Sequence, residues 1–297
     1  MAAGAADRVE APGGRTLSAR RTAATTDGDT PYVVRNALHW FALSAASANV
    51  VMQLSRLPVG RGVVESKVES GRVDKHPIKR GRTTLAYIAV AWHGTDEERE
   101  WLRKEVNRSH RLVRNEPGGP VKYNAFDREL QLWVAACLYK GTEDVLTALY
   151  GPLSDQVLDD LYRHAARLGT SLQVPEDMWP ADRQAFAEYW KEGVSKIEMD
   201  KVTRAYLRSL TDLSFLPGPI HRVLGGFSRF ITLGFLPPEF RAELGLPWTE
   251  RDQARFERFT RRAARINRVL PRPLRAFPWN VYLWDSRRRF RKGKPFV

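Results

Sequence analysis

One cysteine in 297 residues, Cys137, removes several chemistries at once. No intrachain disulfide can form, and a reducing compartment is the simpler assumption. A zinc or iron–sulfur site built on several cysteines is excluded too. The chain also lacks an HExxH pair, a Gly-rich phosphate loop, a nucleophile elbow and any Glu-x-x-His spacing of the di-iron kind. Gly225-Gly226 is no nucleotide fingerprint, because no strand precedes it. Acidic residues are scarce at one end. Residues 251–297 hold fifteen Lys or Arg against three Asp or Glu, a net +12 of the chain's +14. Such a basic tail speaks of partners and local field, and little of fold.

Large apolar side chains are nearly absent from residues 1–31, which therefore cannot offset their ordering entropy and are expected to be disordered. Arg20-Arg21 resembles a twin-arginine element, but the polar stretch Thr22 to Pro31 follows it, which argues against a secretion signal. Tyr32 to Leu54 is apolar and about as long as a membrane span of roughly 20 residues. His39, Ser44, Ser47, Asn49 and Gln53 within it favour a buried core helix instead. Pro58, Gly60 and Gly62 then break the chain, and residues 63–75 read as a loop.

What is abundant is helix-period patterning. A helix is predicted from His76-Pro77 to Gly94, and a second from Asp96, capped by Thr95 with Glu98 three residues on. Asn124 to Tyr139 predicts a third, apolar on most sides and so deeply buried, with a new start at Gly141-Thr142. Residues 220–235 predict an apolar helix interrupted by Gly225-Gly226, and Thr249 caps a long basic one. No period-2 alternation survives inspection. The fold class is all-α, a single globular bundle of about ten helices after residue 31, with a buried slot between helices.

Two helical faces carry polar groups inward. Arg80, Thr84, Tyr87 and Ala91 recur at i, i+4, i+7, i+11, and Leu102, Val106, His110 and Val113 share a second stripe. Of six histidines, His76 and His93 flank helix ends, His164 shares a charged face, His221 opens a helix and His39 is a candidate for burial. Only His110 is central on an apolar stripe, where it is a ligand, a base or a packed ring. Arg80, Arg82, Thr83 and Thr84 cluster on the helix before it. The threonines can bond their own backbone, whereas an arginine there needs an acceptor, either a ligand carboxylate or Asp127. Near the C-terminus, Trp279, Tyr282 and Trp284 stand beside Arg287, Arg288, Arg289, Arg291 and Lys292. Rings with cations suit a membrane interface through residues 279–294, or nucleic acid less well; they equally suit an anchor packing back on the domain.

RTTLAYIAVA, VNRSHRLVR, YNAFDRELQLWVAACLY, YGPLS and GFLPPEFRAELGLPW occur in this order. The set resembles the MpaB-type oxygenase family, related to the rubber oxygenase (latex clearing protein) catalytic domain, over about Met52 to Arg289. The resemblance implies an all-helical domain over residues 32–297 holding one haem b, and O2-dependent oxidation or cleavage of an apolar, often isoprenoid or lipid, substrate. It implies His110 as the axial metal ligand, with Arg80 and Thr84 on the haem-side helix. Thr83 stands where the rubber oxygenases place a lysine able to close the distal side of the iron. Arg80, Thr83 and Thr84 are thus the candidate catalytic residues. His110, Arg80, Arg82, Thr84 and Trp133 are the candidate haem contacts, with Leu130 and Phe126 as further walls. Two histidine-bearing segments of the family read RLPVGRGVVESK and WVAAC here, with Ala135 after Val134. The reading is of a haem-dependent oxygenase, cytoplasmic or peripheral to a membrane. Its alternative is a non-catalytic helical binding protein for haem, lipid or another apolar ligand.

Overall fold

The computed structural model describes residues 8–11, 15–18, 32–66, 68, 72–115 and 118–296. Of the segment expected to be disordered, it describes one antiparallel hairpin, β1 (Arg8–Ala11) with β2 (Arg15–Ser18), paired Val9 to Leu17. The sequence reading expected no strand there; the other residues before Tyr32 lie outside the described set.

From Tyr32 onward the described structure is helical. The apolar run expected as one helix is divided into α1 (Tyr32–Arg35), a 3-10 turn (Trp40–Leu43) and α2 (Ala46–Leu54). His39 is buried at the break, and its Nε2 lies 3.1 Å from the Tyr150 hydroxyl. Helix α3 (Leu57–Val64) runs straight through Pro58, Gly60 and Gly62, which the sequence reading took as breaks. Pro58 sits in the first turn, where its missing N–H is harmless. Gly60 is needed for contact, since a Cβ there would lie 2.6 Å from both the Leu54 carbonyl oxygen and a Thr203 methyl.

Helices α4 (Pro77–His93) and α5 (Asp96–His110) follow, and the Thr95–Glu98 capping box forms as expected. Helix α6 (Arg128–Tyr150) starts later than expected, because Asp127 caps it by accepting from the backbone of Glu129 and Leu130. It continues through Gly141 without a new start. The bare Gly141 leaves room for the Asn49 amide, which donates to the Cys137 carbonyl at 2.6 Å. The chain goes on with α7 (Asp155–Ala165), α8 (Arg167–Thr170), α9 (Arg183–Ser195) and α10 (Lys201–Thr211). Then come α11 (Gly218–Phe235), α12 (Pro238–Leu244), α13 (Glu250–Val269), α14 (Arg272–Arg275) and α15 (Trp279–Arg291). Helix α11 is continuous across Gly225-Gly226, against expectation.

Helix α6 joins two hydrophobic clusters. Leu132, Ala135, Ala136 and Tyr139 pack with α4, α7 and Trp279. Trp133, Cys137, Val145 and Leu149 pack with α2, α10, α12 and α13. A helix buried on nearly every side is what its all-round apolar sequence demands. Helix α15 lies along α4 and α5. Asp285 pairs with Arg82 at 2.9 Å, Arg287 pairs with Glu98 at 3.1 Å, and the Trp279 indole donates to the His39 carbonyl at 2.8 Å. Among the described residues no helix is long and apolar enough to cross a membrane.

Candidate functional site

A cavity of about 450 Å³ opens between α3, α4, α5, α6 and α8. That lies within the roughly 300–1,000 Å³ usual for small-molecule sites. Each wall follows from a local pattern. Helix α4 contributes Arg80, Thr83, Thr84 and Tyr87, and α5 contributes Val106 and His110. Of the stripes read from the sequence, Arg80, Thr84 and Tyr87 on α4 and Val106, His110 and Val113 line the cavity, whereas Ala91 and Leu102 are buried in the core. Leu130, Val134 and Leu138 recur at i, i+4, i+8 and form the apolar side from α6. Tyr123 closes another side, its ring 3.2 Å from where a Cβ on Gly62 would stand.

His110 is the last residue of α5, edge-on to Phe126 with ring centroids 6.2 Å apart. Its buried Nδ1 has no hydrogen-bond partner. Burial, with the nearby Arg80 charge second, lowers its pKa from 6.5 to about 4, so the imidazole is neutral at pH 7. Among the described residues no hydrogen bond joins it to a hydroxyl, thiol or carboxylate, so no nucleophile–base pair of the triad kind is built on it.

Arg80 lines the same cavity. Burial lowers its pKa, partly opposed by Tyr206, and no carboxylate among the described residues pairs with it. Asp127, suggested as its partner, is occupied in capping α6. The Thr84 hydroxyl donates to the Arg80 carbonyl at 3.0 Å, and the Thr83 hydroxyl to the Lys79 carbonyl at 2.8 Å. Both threonines thus line the cavity with their hydroxyls tied back to α4.

Two expected haem contacts do not line the cavity, and Phe126, expected as a wall, reaches only the His110 ring from outside the lining. Arg82 turns away to Asp285 of α15. Trp133 is fully buried in the second cluster, stacked on Trp190 at 5.2 Å with its indole donating to the Met52 carbonyl at 3.2 Å. Neither side chain lines the cavity. Among the other histidines, His164 is not on a surface face: its Nε2 lies 2.7 Å from the Trp92 carbonyl oxygen.

The α3 wall and the amides of Gln131, Gln173 and Asn107 are not legible in the sequence. The part-buried Tyr87 hydroxyl donates to the Leu168 carbonyl at 2.6 Å, leaving its ring as wall. Gln131 donates to the Ala125 carbonyl and to Gln173, which donates in turn to Asn107 at 2.6 Å. That amide chain fixes the loop before α6 against α5. Pro295 and Phe296 close one rim, with the Phe296 N–H donating to Glu105 at 3.2 Å. Tyr87 stood in the α4 stripe and was findable there; the other contacts span too much sequence to be read locally.

Among the described residues no three His, Cys, Asp or Glu side chains gather as a metal-binding group. The arrangement is one neutral imidazole, the Arg80 guanidinium with no carboxylate partner among the described residues, and the apolar α6 wall, with Lys79 and the Glu105–Arg108 pair also lining the cavity. It suits a ligand with an apolar body and an anionic edge.

Residues 34–265 match the family described as ER-bound oxygenase mpaB/B'/rubber oxygenase, catalytic domain. Two curated relatives are each 49% identical over 251 residues, 84% of this chain and 98% of theirs. They are an uncharacterized protein of Mycobacterium tuberculosis and one of Mycobacterium bovis. No solved structure matches the chain. The ordered motifs, the all-helical body and the match over residues 34–265 lead to one conclusion: the chain belongs to the mpaB/rubber oxygenase family, whose catalytic domain is of the oxygenase type.

Proposed function

We propose that the chain is a haem b-dependent oxygenase acting on an apolar substrate, with His110 as the axial ligand. The observation that carries this reading is the state of His110: a neutral imidazole with an unpartnered buried Nδ1, lining a 450 Å³ cavity beside Arg80, which meets no carboxylate among the described residues. A bare metal ion would need several protein donors. A porphyrin brings four nitrogens and asks the protein for one imidazole, apolar walls and cations for its carboxylates. The residues present fit that demand.

Bound haem would supply the redox chemistry by which O2 oxidises or cleaves an isoprenoid or lipid chain. The chain's own residues do the rest. His110 offers a lone pair at neutral pH and keeps it as pH falls, because burial, with the Arg80 charge second, lowers its pKa to about 4. Arg80 offers its guanidinium to a carboxylate edge. Leu130, Val134 and Leu138 keep water from the apolar body of a ligand. Thr83 and Thr84 present methyl groups and committed hydroxyls, so neither replaces a distal lysine.

Absorbance of the purified protein tests the reading. A Soret band is expected that shifts on reduction and is lost or displaced in His110→Ala. A haem-reconstituted, folded His110→Ala with an unchanged band overturns the axial assignment. A colourless protein that copurifies with lipid and takes up no haem overturns the oxygenase reading in favour of a lipid-binding one.

A further inference from the structure

Helix α11 presents an apolar stripe to solvent. Ile220, Val223, Leu224 and Phe227 recur at i, i+3, i+4, i+7, the spacing that normally faces a core. All four are exposed, Val223 by 76% and Phe227 by 56%. The stripe continues onto α13. Phe227 meets Phe259 at 5.9 Å and Phe230 meets Phe256 at 6.3 Å, so the two helices run antiparallel. From Phe259, helical periodicity carries the same side of α13 through Arg262 to Ile266 and Val269, both exposed. At that end the Arg275 guanidinium of α14 donates to the Leu270 carbonyl at 2.7 Å, and Leu274 of α14 and Phe277 just after it are exposed. Soluble proteins seldom leave so much contiguous apolar surface without a partner.

The charge around the stripe has one sign. Residues 213–238 and 258–284 contain no Asp or Glu, and the second stretch carries seven arginines. Arg222, Arg229, Arg262, Arg265 and Arg268 are exposed, with no carboxylate partner among the described residues. Aliphatic and phenyl side chains at the centre, with long arginines beside them, can enter the acyl–headgroup boundary while the guanidinium groups meet anionic headgroups. Nucleic acid would match the charge and leave the aliphatic stripe in water. The segment around α15 first suspected of membrane contact is a weaker candidate, because Trp279 and Tyr282 pack inward against the core.

We propose that the α11 stripe with the arginine-rich end of α13 and α14 docks this protein on an anionic lipid surface. None of these elements lines the His110 cavity, so the proposal stands independently of the haem reading.

Vesicle flotation of the full chain tests it, with phosphatidylcholine vesicles containing phosphatidylglycerol and with phosphatidylcholine alone. The wild type is expected to float with the anionic vesicles, to release as salt rises, and to stay largely unbound to neutral ones. Val223→Ser with Phe227→Ser should weaken binding on the order of ten-fold or more for each side chain removed. Arg222→Gln with Arg262→Gln should weaken it by about five-fold for each charge. These side chains are exposed, so circular dichroism and melting should be unchanged. Failure of the wild type to float with anionic vesicles overturns the proposal, as does undiminished flotation of the Val223→Ser/Phe227→Ser variant. Light scattering that shows a dimer broken by that variant would assign the stripe to a second copy and overturn it too.

Discussion

Arg80 carries a full positive charge on the wall of the cavity and meets no carboxylate among the described residues. A part-buried charge with no carboxylate partner weakens a fold, so its retention is an argument for a ligand that completes the pair. Replacement by an apolar isostere separates the two roles. Arg80→Met should raise the stability of the ligand-free protein by about 1–3 kcal/mol, read from the urea midpoint. The same variant should bind haem on the order of ten-fold more weakly, read by titration at the Soret band. A stability loss in Arg80→Met would show the guanidinium to be a structural group. The neighbouring threonines make a contrasting case. Their hydroxyls already close onto α4, so Thr83→Val and Thr84→Val should change haem spectra little.

Elements repeat the distinction between local pattern and distant contact, and α11 gives a direct test in two adjacent glycines. A Cβ on Gly225 would strike the Asp212 carbonyl oxygen and the His221 ring, whose Nδ1 lies 2.9 Å from that same oxygen. A Cβ on Gly226 meets nothing within 4 Å. Gly225→Ala should therefore destabilise by about 1–3 kcal/mol through overpacking. Gly226→Ala should stabilise by about 0.5–1 kcal/mol through helix propensity alone. Denaturant midpoints of the two variants should move in opposite directions. The sequence shows both as identical breaks, because what tells them apart comes from α10 and its end. The same holds for α3, where Pro58 and two glycines read as breaks, although Thr203 and Tyr123 pack against the glycines of a continuous helix. By contrast, the α5 cap and the cavity-lining parts of the two stripes, Arg80, Thr84 and Tyr87 with Val106 and His110, were legible, since each is written within four turns of one helix. The Arg82 assignment failed because two residues on from Arg80 is about 200° around the helix, towards an aspartate 203 positions away. Trp133 failed because α6 is apolar all round, and periodicity cannot say which side faces a cavity.

Helix α6 belongs to both hydrophobic clusters and couples their unfolding. Tryptophan fluorescence and far-ultraviolet circular dichroism should report one coincident unfolding transition. That transition should depend on pH in a defined window. His39, His93 and His164 lie outside the cavity, and burial is the largest cause lowering each from 6.5 to about 4. Arg275 adds to it at His39, Arg287 and Arg167 at His93, and Arg167 at His164. The folded state therefore keeps these rings neutral where the unfolded chain would protonate them. Between about pH 6.5 and 4 the unfolded state binds more protons, so stability falls as pH falls. The slope approaches about 1.4 kcal/mol per pH unit for each histidine, and the effect is absent above the unfolded value. Urea midpoints measured from pH 8 to pH 4.5 should be flat at first and then decline. Replacing His164 with Gln should make the decline shallower by one histidine's share, and an unchanged slope would show that its ring is not held neutral in the fold.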